Sequence, residues 1–287
     1  MTTTTQSADG TGIAYERLGR SGRPGRPARP GAGRPVILVP GILCTRETVR
    51  PLAEQLAAAG LAAVIYDRRG RGDSGDTLPY AVEREIEDLH AVIAAAGDDG
   101  GGADVGADVG ADVYGHSSGA SLVLQAAASG GLRAGRLVLH EPPYGPDDAD
   151  SRRAAADLGK AIAAYIADDR REDAITAFLT AAGLPPEAAA QAAKDPGMLA
   201  VAPTMPYDFE AQGNIRTGGV LPEADAAKVT APTLVLAGAA SPPFFLDTAR
   251  RLAELLPRGR LRVLDGQDHA ASPEAVAPVL AEHFGAG

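Results

Sequence analysis

Four short, mostly apolar runs alternate with longer stretches of different rhythm. The runs are Pro35-Val36-Ile37-Leu38-Val39, residues 61–66, Arg136-Leu137-Val138-Leu139-His140-Glu141, and Pro232-Thr233-Leu234-Val235-Leu236-Ala237. A strand that is apolar at consecutive positions is buried on both faces. Between the runs, apolar residues recur every three or four positions, as in Val49, Leu52 and Leu56, or Val82, Ile86, Leu89 and Ile93. That spacing marks one face of a helix. Buried strands alternating with helices leave few architectures open. The expected fold class is α/β, a mostly parallel central sheet with helices on both faces. Ligands in such sheets bind at the carboxyl ends of the strands.

The rest of the chain fits around this frame. Residues 1–10 are polar and expected to fray, and residues 12–18 read as a further strand. Residues 20–34, rich in Arg, Gly and Pro, read as a flexible connection. Thr45 can cap the helix that ends near Gly60. Gly-Ala-Asp-Val occurs three times between Gly102 and Val113, too short a repeat for a solenoid; it reads as a low-complexity loop whose last copy enters a strand. Residues 260–264 form the last expected strand. A final helix spans roughly 275–284, with Pro278 blurring its start. From residue 142 to 228 the strand signal disappears and helical stripes replace it, such as Leu158, Ile162 and Ile166. The expected organisation is a core of residues 1–141 and 229–287 with a helical insertion at 142–228.

The bulk properties exclude some functions. The 287 residues, 45% of them hydrophobic, can bury a sizeable core. The net charge of −10 argues against nucleic acid as the main partner, because phosphate binding needs an excess of Lys and Arg. A single cysteine, Cys44, allows neither an intrachain disulfide nor a cysteine-based metal site. No run approaches the roughly 18 apolar residues of a membrane span, and no secretory pattern opens the chain. The expectation is a cytoplasmic protein with a small-molecule substrate, no metal and no cofactor. A homo-oligomer is compatible with the sequence.

Gly115-His116-Ser117-Ser118-Gly119 follows the strand-like Ala111-Asp112-Val113-Tyr114 and precedes a helix-like stretch from Ala120. A serine at a sharp strand-to-helix turn has its oxygen exposed, and the helix N-terminus offers N–H groups to an oxyanion. With 35 glycines in the chain the pentapeptide alone does not decide the matter; its position between a strand and a helix, and a histidine far downstream, carry the argument. A nucleophilic serine also needs a base, a group to orient the base, and two oxyanion donors. His269, in the loop after the last strand, is the expected base. His90 and His283 fall in helices, His140 ends a strand, and His116 is pinned beside the serine. The expected oxyanion donors are the backbone N–H groups of Ile42 and Ser118. Gly41, Leu43, His116 and Tyr144 are the expected substrate contacts.

These residues resemble an α/β-hydrolase-fold serine hydrolase over nearly the whole chain. The resemblance is carried by Val39-Pro40-Gly41, Tyr66-Asp67-Arg68-Arg69-Gly70-Arg71-Gly72-Asp73-Ser74, the Ser117 turn, the run from Pro232 to Gly238, and Gly266-Gln267-Asp268-His269. It implies an inserted helical cap and a Ser-His-acid triad. Two departures stand out. The family usually has His-Gly where this chain has Pro40-Gly41. It also usually places the acid shortly after the strand at 232–237, where this chain has Ser241. Asp247 is the next acidic residue but falls in a helix. Some branches, the haloalkane dehalogenases among them, place the acid after the strand that follows the nucleophile helix, which here is Glu141. Glu141 is therefore the expected acid; a helix-capping or cap-anchoring role for it, or no acid at all, stays open at this point.

Residues Gly70-Arg71-Gly72-Asp73-Ser74-Gly75 also match G-x-G-x-x-G. Pro79 intervenes and the region about 20 residues on is still helical, so dinucleotide binding is disfavoured. The sequence therefore points to hydrolysis of a carboxylic ester, thioester or lactone of a small, rather apolar molecule through an acyl-enzyme on Ser117. Acyl transfer or ring closure at the same site, and a ligand-binding protein without turnover, are the alternatives.

Overall fold

The computed structural model of the protein describes residues 2–19, 34–97 and 110–285. The connection expected at 20–34, apart from Arg34, and most of the Gly-Ala-Asp-Val repeat lie outside those residues. The described chain runs β1 (Thr3–Gln6), β2 (Gly12–Leu18), β3 (Val36–Val39), α1 (Arg46–Ala58), β4 (Ala63–Tyr66), α2 (Val82–Gly97), β5 (Ala111–His116), α3 (Ser118–Ala128) and β6 (Ala134–His140). Seven helices follow: α4 (Ala149–Ala167), α5 (Arg171–Ala181), α6 (Pro186–Ala192), α7 (Pro196–Val201), α8 (Met205–Ala211), α9 (Asn214–Thr217) and α10 (Glu223–Ala226). The chain closes with β7 (Thr233–Gly238), α11 (Pro243–Leu255), β8 (Gly259–Leu264) and α12 (Pro273–Gly285).

The eight strands form one sheet in the order β1-β2-β4-β3-β5-β6-β7-β8. The first two pairings are antiparallel and the rest parallel. The expected sheet class is therefore present, with one correction at its edge. Thr3–Gln6, read from its polarity as frayed, pairs with β2 from Thr3↔Tyr15 to Gln6↔Gly12. β-Branched threonines suit an edge strand that needs no apolar face.

The apolar runs are buried along their strands: every residue of β3, β4 and β7 is buried, as are the last four of β6. One side of the sheet packs Val113, Leu137, Leu139 and Val235 against Leu89, Val92 and Leu124 of the helices. The other packs Leu38, Ile65 and Val138 against Leu52, Leu56 and Leu280. Each fully buried Leu, Ile or Val contributes about 1.5–3 kcal/mol of transfer free energy. This double-sided burial holds the strand ends rigid, and the site is built on them. Among the described residues no helix is long and apolar enough to cross a membrane.

Helices α4–α10 sit between β6 and β7 with a small core of their own, including Ile162, Ile175, Met205 and Phe209. Asp148 caps α4 by accepting from the N–H groups of Asp150 and Ser151. Such a cap is worth on the order of 1 kcal/mol. The insertion contacts the rest of the molecule through α8, which meets α3 and α2, and through α10, which meets α3 and α11.

Candidate active site

Parallel register brings four strand ends to one level. His116 is opposite His140, His140 opposite Leu236, and Gly238 opposite Leu264. The ladder extends one residue further, with Ser117 N–H donating to His140 O at 2.9 Å and Glu141 N–H to Leu236 O at 3.0 Å. Ser117 and Glu141 thus leave adjacent strands side by side, and the loop after β8 carries His269 to meet them.

Ser117 lies at the turn with φ 55° and ψ −126°, a conformation a side chain rarely adopts. Strain of order 1–3 kcal/mol persists only where the surroundings enforce it. Here they do. A Cβ on Gly119 would stand 2.4 Å from Val39 O, and one on Gly115 would stand 2.7 Å from Gly119 O. The strand and helix backbones nearly touch, and the serine side chain is left at the apex.

The His269 Nε2 lies 3.2 Å from Ser117 Oγ, and its Nδ1 lies 2.7 Å from Glu141 Oε2. Glu141 is fully buried and its other oxygen, Oε1, accepts from Gly238 N–H at 2.7 Å and from the Ser241 hydroxyl at 2.6 Å. Burial pushes this carboxyl up, but the bonds from His269, Ser241 and Gly238 outweigh it and hold it below the ordinary glutamate value. Ser241, at the family's usual acid position, thus donates to the acid instead of replacing it. Asp247 is exposed on α11 and pairs with Arg250.

Two aromatic rings bracket the imidazole. Phe245 stacks on His269 with centroids 4.6 Å apart and planes at 23°, and the His116 ring lies 4.8 Å from it with planes at 35°. His116 Nε2–H donates to the backbone carbonyl of His269 at 2.9 Å. Burial and the nearby His269 lower the His116 pKa to about 4, so it is neutral at pH 7. Behind it, the buried His140 has its Nδ1 2.8 Å from the Tyr114 hydroxyl, and burial holds it neutral as well.

The loop from Gly41 to Leu43 presses on the serine. A Cβ on Gly41 would lie 3.0 Å from Ser117 Cβ and 3.2 Å from His116 O, so glycine is needed for this approach. Ser118 begins α3, where the first N–H groups of a helix have no intrahelical acceptor. Neither Ile42 N–H nor Ser118 N–H donates to another described residue. Beside the loop opens a cleft of about 340 Å³, walled by Ile42, Leu43 and Cys44 on one side and by Phe178, Leu179 and Met198 of the insertion on the other. Ser117 and His269 do not line it; it adjoins them through the Gly41–Leu43 loop.

Of the four expected substrate contacts, Leu43 lines the cleft and Gly41 abuts the serine. His116 is committed to the His269 carbonyl. Tyr144 is a correction: it is 1% exposed, packed in the core on one side of the sheet, and its carbonyl accepts from Thr248. The chain turns inward after Glu141 and buries this ring. Of the insertion's apolar residues, Phe178 and Met198 reach the cleft, Ile162, Met205 and Phe209 form the insertion's core, and Tyr207 stacks on Tyr80 at 3.9 Å.

Sequence reasoning missed a buried ionic cluster under the site. Arg68 pairs bidentately with Glu85 and meets Asp208 of α8 at 2.5 Å; Arg71 also meets Asp208 at 2.5 Å. All four side chains are at most 2% exposed. Two arginines and two carboxylates balance in charge, which is what burial demands. Arg68 and Arg71 stood within a glycine-turn motif, and nothing in the helical stripes marked Asp208.

Sheet order, strained serine turn and convergent strand-end residues together define a class of α/β enzyme fold. The alpha/beta hydrolase family model matches residues 36–279, and the chain belongs to that family. An alpha/beta hydrolase from Sphaerobacter thermophilus is 45% identical, with 98% of this chain and 100% of that one covered at a TM-score of 0.80. The esterase EaEST from Exiguobacterium antarcticum is 18% identical and superposes over 100% of both chains at a TM-score of 0.71, a likeness of fold. N-formylmaleamate deformylase from Pseudomonas putida is 36% identical over 115 residues; the match spans 39% of this chain and 39% of that protein.

Proposed function

We propose that the protein is a serine hydrolase that cleaves a small, uncharged carboxylic ester, or a related thioester or lactone, through an acyl-enzyme on Ser117. The observation that carries the reading is the continuous hydrogen-bonded line from Glu141 through His269 to Ser117, 2.7 Å and 3.2 Å. His269 takes the serine proton as Oγ attacks the carbonyl carbon. Ile42 N–H and Ser118 N–H hold the oxyanion. Glu141 keeps the Nδ1–H tautomer and stabilises the imidazolium. His269 then protonates the leaving group, and water, activated by the same imidazole, releases the acid.

The cleft supports the uncharged substrate. Its described lining is mainly apolar, it contains no Lys or Arg, and its carboxylate, Asp195, would repel an anion. The insertion acts as a lid that walls this cleft. Its esterase and deformylase relatives are consistent with acyl-group hydrolysis as the reaction class.

A fluorophosphonate probe tests the reading. The wild type should be labelled and Ser117→Ala should not. A wild type that neither reacts nor turns over p-nitrophenyl esters would leave only a ligand-binding role.

A further inference from the structure

We propose that Arg71 and Asp208 are positioning residues for the two oxyanion donors, so that the helical insertion completes the reactive site as well as walling its cleft. The proposal rests on the serine-hydrolase reading above. Arg71 Nη1 donates to the carbonyl of Gly41 at 2.7 Å and to that of Cys44 at 3.1 Å. The Gly41 carbonyl belongs to the same peptide unit as Ile42 N–H. In a planar trans unit the two point in opposite directions, so fixing the oxygen fixes the aim of the N–H. A charged donor on the carbonyl also polarises the unit and strengthens its N–H as a donor.

The second donor is tied to the same cluster. Ser118 Oγ donates to Asp208 Oδ1 at 2.6 Å, while Oδ2 of that carboxylate receives Arg71 Nη2 at 2.5 Å. Arg68 Nη1 reaches Asp208 Oδ1 at 2.5 Å, Ser118 Oγ at 3.3 Å and Pro40 O at 3.4 Å. One buried carboxylate from α8 therefore joins the loop that carries Ile42 to the turn that carries Ser118. Thr204, just before α8, accepts from Arg71 Nε at 2.9 Å, which fixes the guanidinium plane. Burial tends to raise the Asp208 pKa, but Arg68 and Arg71 overcome that and hold it ionised. Catalysis gains from donors that are aimed before the charge develops. A separation between these two N–H groups that drifted by an ångström would weaken the transition state more than the ground state.

The test uses Arg71→Lys and Ser118→Ala, each checked by circular dichroism. Lysine keeps the charge beside Asp208 but cannot serve Thr204, Gly41 and Asp208 together. Ser118→Ala leaves Asp208 paired to both arginines and keeps the backbone N–H. Three quantities are read: kcat and KM on p-nitrophenyl butyrate, and the affinity of a boronic acid, whose serine adduct places an oxygen where the oxyanion forms. Expected for Arg71→Lys is a fall in kcat and in boronate affinity of about 10–100-fold each, with KM changed less than about threefold. Expected for Ser118→Ala is the same split at about 3–10-fold.

A purely structural cluster would lower thermal stability and leave kcat and boronate affinity of the folded protein intact. That result in folded Arg71→Lys overturns the proposal; if Arg71→Lys does not fold, the same result in Ser118→Ala does so. Fluorophosphonate labelling of the wild type runs alongside. No labelling overturns both this proposal and the hydrolase reading, whereas labelling with unaltered variants overturns this one alone.

Discussion

Replacing Glu141 by glutamine isolates the electrostatic role of the acid with almost no change in volume. The structure dictates which way the new amide must face. Oε1 accepts two hydrogen bonds, from Gly238 N–H and the Ser241 hydroxyl, so the amide oxygen must remain there. Its NH2 group then occupies the place of Oε2, 2.7 Å from His269 Nδ1, where an acceptor stood. A donor in that place forces Nδ1 to become the acceptor and moves the ring proton to Nε2. Nε2 then faces Ser117 Oγ as a donor, and the general base is lost. The flipped amide would set two donors against Gly238 N–H and is worse by a buried unmet bond, about 1–3 kcal/mol. A wrong tautomer of this kind costs about 10⁴ in kcat in Ser-His-Asp enzymes. That is about 5.4 kcal/mol of barrier at 1.36 kcal/mol per factor of ten. The assay is turnover of a p-nitrophenyl ester by Glu141→Gln with the fold verified by circular dichroism. Turnover within about tenfold of wild type would refute the argument and make Glu141 a structural residue.

Three further outcomes follow from the same geometry. Gly119→Ala should destabilise the protein by about 3 kcal/mol in urea denaturation, because the added methyl meets the Val39 and Pro40 carbonyls at 2.4 and 2.7 Å. Phe245→Leu should reduce kcat by about 2–30-fold with the fold retained, the loss of about 0.5–2 kcal/mol between the stacked ring and the imidazolium. The pKa of His116 falls on folding to about 4. Below about pH 6.5 the unfolded chain therefore takes up the proton first, and stability must fall as the pH drops toward that value. Allowing for partial exposure, the loss is about 2–3 kcal/mol, fully present at pH 7 as stability and gone by about pH 4. His140, held neutral by burial, adds to it in the same direction. Urea denaturation of wild type and His116→Asn at about pH 7 and about pH 4.5 checks this; equal pH dependence in the two proteins would remove His116 as a contributor.

Local pattern was enough to read the sheet, the serine turn and the order of Ser117 before His269. Each of these is written in neighbouring residues: runs of buried apolar side chains, helical stripes, and glycines two positions either side of the serine. Local pattern misled in two places, at the sheet edge and beside the site. Thr3–Gln6 looked unstructured because an edge strand needs a pairing partner more than an apolar face. Tyr144, an expected substrate contact, is buried instead, because closeness in sequence to Glu141 says nothing about which way the chain turns after a strand.

The amino-acid order by itself determined the layered α/β frame and the turn that displays Ser117, because both are set by periodicity and sterics over a few residues. Tertiary structure alone decided which carboxylate faces His269, that Ser241 supports it, and that Asp208 reaches Arg71 from 137 positions away. Charge pairs and hydrogen bonds between distant segments carry no periodic signal in a chain. They come into being only when strand register and helix docking bring their atoms to bonding distance.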